Sequence, residues 1–409
     1  MTAPPHAIPA RTWSLAALIG ALAMLGPFAI DMVLPAFGAI GRDLDAAPLA
    51  VQQTLSVYLA AYAFMMLWHG ALADALGRRP VVLAALSLYA LASLGAAIAG
   101  NIESLWLFRA LQGLSAGAGM VVGRAVIRDR FHGAEAQRLM AKVTLVFSIA
   151  PAIAPVIGGV VLNLLGWRAI FWVMLLQAVV LIIWVRRKLP ETLAKDARQP
   201  LSPPVLFANY RRVVTRPEFL LLALVPALNF AAFFVYIAAA PQFLVGHLGV
   251  STWGFAWLFI PMITGVLIGA LVSGRSAGRR SPQRTIRLGF ATMFAGCALN
   301  VAITTFVPPS VPWHVLPVFV FTIGTATVMP SVTLLLLDLF PANRGLASSL
   351  QGFVQFGLSA VNAALIAPLL ATSLALLAAG MILFTLASFA VWLIYQRRAH
   401  TLLRNWTPT

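Results

Sequence analysis

The chain has 409 residues, 61% of them hydrophobic and only 10% charged, and its mean hydropathy is +0.92. Soluble proteins are about 45–50% apolar and about 25% charged, so a surplus of this size has no soluble core to fill; a cytosolic enzyme, a secreted domain and a disordered chain are excluded. The net charge of +17 leaves nucleic acid open as a partner until the charges are located along the chain.

Apolar runs nearly free of charge fall at about 13–38, 50–72, 80–99, 104–126, 140–163 and 168–186, then at about 219–243, 252–274, 286–307, 313–336, 345–368 and 373–395. Each is long enough for a membrane helix of about 20 residues. The chain therefore reads as an all-α integral membrane protein with twelve transmembrane helices. One six-helix bundle falls within 1–186, a linker over 187–218, and a second six-helix bundle within 219–409. This plan is that of a transporter built from two repeated bundles. The first run is too long for the apolar core of a cleaved signal sequence and carries Asp31, so it reads as a span.

With the N-terminus in the cytoplasm, 24 of the 28 Lys and Arg fall in loops on that side. Only Arg42 and Arg168 lie in the opposite loops, and Arg109 and Arg124 lie inside the fourth span. This imbalance puts both termini in the cytoplasm and accounts for the net charge by topology and by attraction to anionic inner-leaflet lipid. The nucleic-acid reading falls. The linker carries Pro190, Pro200, Pro203 and Pro204 and then an apolar-basic stretch, 205–216. It reads either as solvated chain or as a short helix on the inner membrane surface, with Arg211, Arg212 and Arg216 towards headgroups. The single cysteine, Cys297, excludes an internal disulfide and a Cys-based metal site. The six histidines are scattered, so neither a metal nor a cofactor is expected. His69, at the inner end of the second span, reads as a boundary residue.

Asp31, in FAIDMVLPAF, is the only acidic side chain well inside any run, and without a role it is a severe cost. Pro35, four residues on, leaves the Asp31 carbonyl without its helical donor. At 1.5 Å per residue, Asp31 lies roughly 10 Å from the outer end of its span and Arg109 roughly 8 Å from the outer end of the fourth. The two are at similar depth and within pairing reach. Burial favours the neutral acid and a nearby arginine favours the carboxylate, so Asp31 with Arg109 reads as the proton-coupling site, or as a static ion pair that locks two helices. Arg109 and Gln112 share a helix face, which belongs in a polar, protein-lined cavity, and Gly113 permits close helix approach. Polar residues at helical spacing extend that cavity: Tyr58 and Tyr62, Asn229 and Tyr236, and Gln351, Gln355 and Asn362. Each is open to a second reading as an interhelical hydrogen bond.

The loop after the second span reads GALADALGRRPVV, 70–82. Here the chain resembles the major facilitator superfamily through Gly70, Leu72, Asp74, Gly77, Arg78 and Arg79, with Ala75 where a basic residue is usual. The glycines let the backbone turn and pack closely, and Asp74 can receive a helix N-terminus or an arginine of the opposite bundle. That contact suits a gate. LWLFRALQG (105–113) is similar to a second motif of the family. APAIAPVIGG (150–159) resembles its antiporter signature through Pro151, Pro155, Gly158 and Gly159, with Ala150 and Ala154 in place of two glycines. The resemblance associates this signature with export by exchange; the prolines alone read equally as a kink.

DMVLPAF (31–37), RAVIRDRF (124–131), GWRAIFW (166–172) and LPET (189–192) complete the pattern. Together these segments resemble the Bcr/CflA group of twelve-span bacterial drug:proton antiporters. The resemblance implies a monomer in the bacterial inner membrane. It also implies export of bicyclomycin-, chloramphenicol- or sulfonamide-like molecules in exchange for protons. A proton-coupled exporter of a metabolite such as an amino acid or sugar fits the same residues. A membrane enzyme needs a catalytic pair or metal cluster at depth, and the chain offers only Asp31 with Arg109. A receptor has no use for two mobile bundles and a gate.

Overall fold

The computed structural model describes residues 10–341 and 343–404. All the regular structure among them is helical, and twelve stretches are long and apolar enough to cross a membrane. The first six are Ser14–Asp43, Pro48–Met66, Arg78–Ala97, Ile102–Arg130, Arg138–Leu165 and Trp167–Lys188. The last six are Pro217–Ala238, Thr252–Ser276, Pro282–Phe306, Leu316–Asp338, Arg344–Leu370 and Leu374–Arg398. Every apolar run of the sequence becomes a span.

Packing repeats between the two groups of six. Span one packs on five as seven does on eleven, two on four as eight on ten, and three on four and six as nine on ten and twelve. The halves meet along two seams, span two against eleven and span five against eight. Between the halves lies the linker, with a short 3₁₀ turn, Lys195–Ala197, and a helix, Pro203–Val214. Tyr210 is buried and its hydroxyl donates to the Leu67 carbonyl (2.5 Å), while Arg211 and Arg212 stay exposed. Burial pushes the Tyr210 pKa up to about 12, so the phenol keeps its proton and remains a donor.

Several spans are broken, and the breaks position the site. Span one ends its first helix at Asp31, turns through Met32 and Val33, and resumes as a 3₁₀ turn, Leu34–Ala36, and a helix, Phe37–Asp43. Pro35 has no N–H to continue the ladder, so the loss expected at the Asp31 carbonyl becomes a full interruption. Span four breaks at Gly117. Span eleven carries a π-helical segment, Asn362–Ile366, and a second one, Pro241–His247, follows span seven. The linker joins the ends of spans six and seven. That end of the molecule is called the linker face here, and the other the far face.

Candidate functional site

Asp31 is buried at the break in span one, and no hydrogen bond or ion pair reaches it among the described residues. Arg109 is buried too, but its guanidinium is engaged elsewhere. It donates to Gln112 Oε1 (2.9 Å) and to the Thr54 carbonyl (3.4 Å), and it lies 4.5 Å from the centroid of the Tyr58 ring. The ion pair expected between Asp31 and Arg109 is not formed. Gln112, one turn along the same helix, and span two supply the acceptors and the π face that a buried guanidinium needs. Gln112 passes the network on to Ser93 Oγ (2.9 Å) in span three. Tyr58 donates to the Gly26 carbonyl (3.1 Å) and lies within electrostatic reach of both Asp31 and Arg109.

Towards the linker face an aromatic cluster closes the space between the halves. Tyr62 packs on Phe356 of span eleven at 4.6 Å between centroids and on Tyr58 at 6.0 Å, and Phe230 of span seven lies 6.3 Å from Phe356. Tyr58 thus stands between Tyr62 and Arg109, and Arg109 leads on to Gln112. Asn362 joins span eleven to seven through the Ala231 carbonyl (2.9 Å), and Gln351 bonds to Thr333 in span ten (3.0 Å). Gln355 is buried on the same helix face. Tyr236 is turned away, its hydroxyl accepting from Asn300 of span nine (2.6 Å). Asn229 is buried with both amide atoms unpartnered among the described residues.

None of these expected cavity residues lines the open cavity of about 1690 Å³. That space opens on the far face, walled by Phe37, Trp167, Gln242 and Phe255 among others. Aromatic rings and interhelical hydrogen bonds occupy the centre instead. Gln52 reaches across the halves to the Ala238 (3.2 Å) and Ala363 (3.4 Å) carbonyls, and Gln53 to Ala364 (3.0 Å). Ala363 and Ala364 belong to the π-helical segment of span eleven, a type of helix found frequently at functional sites. Sequence reasoning missed this bolt. Its one signal is two adjacent glutamines in an apolar span.

At the linker face, Asp74 pairs with Arg78 of its own loop (2.5 Å), not with an arginine of the opposite half. Arg78 also donates to Asp129 (3.1 Å), which accepts from Thr192 of the linker (2.8 Å). Glu191 receives the backbone N–H groups of Arg78 (3.0 Å) and Arg79 (3.2 Å), so the linker caps the start of span three with a carboxylate where the helix dipole favours one. The roles of Asp129, Glu191 and Thr192 were not foreseen. Gly77 has φ +103° and ψ 154°, and a Cβ there would lie 2.5 Å from Glu191 Oε2. Gly70 sits inside a helix instead of a tight turn, with ordinary room for a Cβ. Gly77→Ala is therefore expected to destabilise the protein by about 1–3 kcal/mol and Gly70→Ala hardly at all, measured by thermal unfolding in detergent.

Span five forms one helix, Gly133–Leu165, which continues through Pro151 and Pro155. Gly158 rests on the Met32 carbonyl of span one, next to Asp31, with no room for a Cβ. Gly159 faces the other half, 2.7 Å from the Thr252 carbonyl by the same measure. One turn on, Asn163 bonds to the Thr252 hydroxyl (3.0 Å).

Twelve helices long and apolar enough to cross a membrane, in two packed groups of six, define a multi-pass membrane protein. Residues 17–363 match the family model described as Major Facilitator Superfamily, and the chain belongs to that family. It is 28% identical to a bicyclomycin resistance protein homolog of Haemophilus influenzae over 91% of this chain and 92% of that one. It is 30% identical to a chloramphenicol resistance protein of Pseudomonas aeruginosa over 78% and 75% of the two chains. With multidrug resistance protein D of Escherichia coli it shares 27% over 95% and 98%. These relatives agree with the group that the motifs resemble. In fold, the chain is similar to a D-xylose-proton symporter, with a TM-score of 0.70 at 16% identity over 93% of this chain and 97% of that one.

Proposed function

We propose that this transporter exports small amphipathic, drug-like molecules in exchange for protons, by alternating access between two units, 1–186 and 219–409, joined by 187–218. The observation that carries the reading is Asp31, a buried carboxyl left without a cation partner at the break in span one. An unpaired carboxylate in such a place is costly, so burial favours the neutral acid, and ionisation waits for water or a cationic group to arrive. The resistance proteins named above support drugs as the cargo. In this reading Tyr58, Tyr62, Gln112, Asn229, Tyr236, Gln351, Gln355 and Asn362 meet the substrate when the central rings part. Gly70, Asp74, Gly77, Arg78 and Arg79 serve the linker-face gate, and Pro151, Pro155, Gly158 and Gly159 the seam between halves.

The distribution of Lys and Arg supports a linker face in the cytoplasm, both termini included, in a bacterial inner membrane. Arg211 and Arg212, exposed on the amphipathic helix Pro203–Val214, then meet anionic lipid. The chain works as a monomer. With a single coupling carboxyl, one proton moves per cycle, so exchange for a neutral drug carries charge and responds to potential by ~2.3 kcal/mol per 100 mV. In everted vesicles, chloramphenicol-like compounds are expected to discharge a preset pH gradient. A gradient that responds to amino acids or sugars and ignores drugs replaces this cargo with a metabolite.

A further inference from the structure

His69 begins the helix His69–Leu76, between the second and third spans, and it is only 2% exposed. It lies just past the end of the second span, as a boundary residue does, yet it is buried. Its Nδ1 is buried with no partner among the described residues. In the neutral ring one of the two nitrogens carries a lone pair and is open to a proton. His69 Nδ1 and the Tyr62 ring flank Gly117, each 3.4 Å from the position of a Cβ on that glycine. Tyr62 in turn lies 3.4 Å from the same position on Gly26, five residues before Asp31. Asp31, Tyr62 and His69 therefore follow one another towards the linker face along the seam of spans one, two and four.

We infer that His69 is a proton-relay residue of this transporter, taking the proton that Asp31 gives up when the linker face opens. The inference rests on the proton-coupled reading above. Asp31 loses its proton to water admitted between the halves; a proton from that water chain binds the neutral His69 ring, making imidazolium, and leaves the ring for water at the linker face.

The titratable and charged groups on the packed elements are Tyr62 of span two, Arg78 and Arg79 at the start of span three, Arg124, Arg128 and Asp129 of the helix Ala118–Arg130, and Asp74 on His69's own helix. Arg78 is occupied by Asp74 and Asp129. Burial lowers the His69 pKa to about 4, against a smaller rise from a backbone hydrogen bond with Leu114. In the closed passage the ring is neutral, and hydration on opening returns it towards the ordinary value of about 6.5.

The test compares wild type with His69→Gln and His69→Phe in proteoliposomes, using chloramphenicol as probe. Proton-driven efflux is expected to fall by about 100-fold in both variants, the low end of what a positioned proton-transfer group contributes. Drug-for-drug exchange at equal pH, which needs no net proton movement, is expected to stay at the wild-type rate and certifies the fold. At a fixed pH difference, wild-type efflux is expected to decline as linker-side pH falls through about 6.5, and the variants to lack this inflection. Efflux and exchange falling together make His69 structural and overturn the relay. Efflux unchanged in the variants overturns the relay alone, whereas a wild type that moves no protons overturns the proton-coupled reading with it.

Discussion

Asp31→Asn is expected to abolish drug-induced proton movement in everted vesicles while the protein stays folded and at normal level in the membrane. Asparagine copies the shape and neutrality of the protonated acid, so it holds the transporter in the form that cannot release a proton. Stability carries the sharper information. Had Asp31 paired with Arg109, the substitution would strand a buried guanidinium at a cost of about 3–5 kcal/mol. Arg109 is instead held by Gln112, Thr54 and the Tyr58 ring, so thermal unfolding of Asp31→Asn in detergent should match or exceed that of wild type. Drug-for-drug exchange is expected to persist. Proton release equal to wild type would remove Asp31 from the coupling role, and a large loss of stability would show that its carboxylate has a partner.

The fold was legible because membrane helices are specified by a one-dimensional quantity. Hydropathy and the placement of Lys and Arg are both properties of the sequence as a string, and all twelve spans were found from the first of them. Depth is counted on the same string, through the rise per residue. What the string lacks is azimuth. Asp31 and Arg109 were matched in depth, but the face that each shows depends on the rotation of two helices about their own axes. Arg109 turned to Gln112, three residues along its own helix. Tyr236 shares the spacing of the cavity residues yet faces Asn300 within its own half.

Partners distant in sequence were the other blind spot. Glu191 lies 113 residues from Arg78 and Gln52 lies 311 from Ala363; neither contact leaves a periodic signal. Gly77 was legible because a backbone conformation demands glycine locally, whereas the carboxylate it makes room for was not. The centre is filled by side chains whose packing leaves no periodic trace: Tyr62 meets Phe356 and Phe230 lies beside it, so the residues expected to line a cavity line none here.

Gly158→Val is expected to disable the transporter more completely than any other single change in span five. A Cβ at Gly158 would meet the Met32 carbonyl, with the Met32 Cα and carbonyl carbon 2.9 Å away. These atoms are backbone and cannot rotate aside. The helices must separate, at about 1–3 kcal/mol for overpacking of this kind, and the residue displaced with Met32 is its neighbour Asp31. Transport and proton coupling should therefore fall together, by more than about tenfold, which is what 1.4 kcal/mol at a working geometry amounts to.

Gly159→Ala provides the contrast. Its neighbour is the Thr252 carbonyl of the other half, 2.7 Å from the new Cβ, and that contact exists only while spans five and eight are together at the far face. The substitution should leave span one and Asp31 undisturbed and bias the halves apart on that side. A cysteine pair placed across this seam is then expected to cross-link more slowly than in the parent, at unchanged thermal stability. If Gly159→Ala instead unfolds the protein as Gly158→Val does, the seam is part of the static core and the halves do not part there. If the two variants differ as stated, adjacent glycines serve separate tasks, because a helix turns about 100° between them: one is fixed to span one beside Asp31, and the next is pressed against the other half.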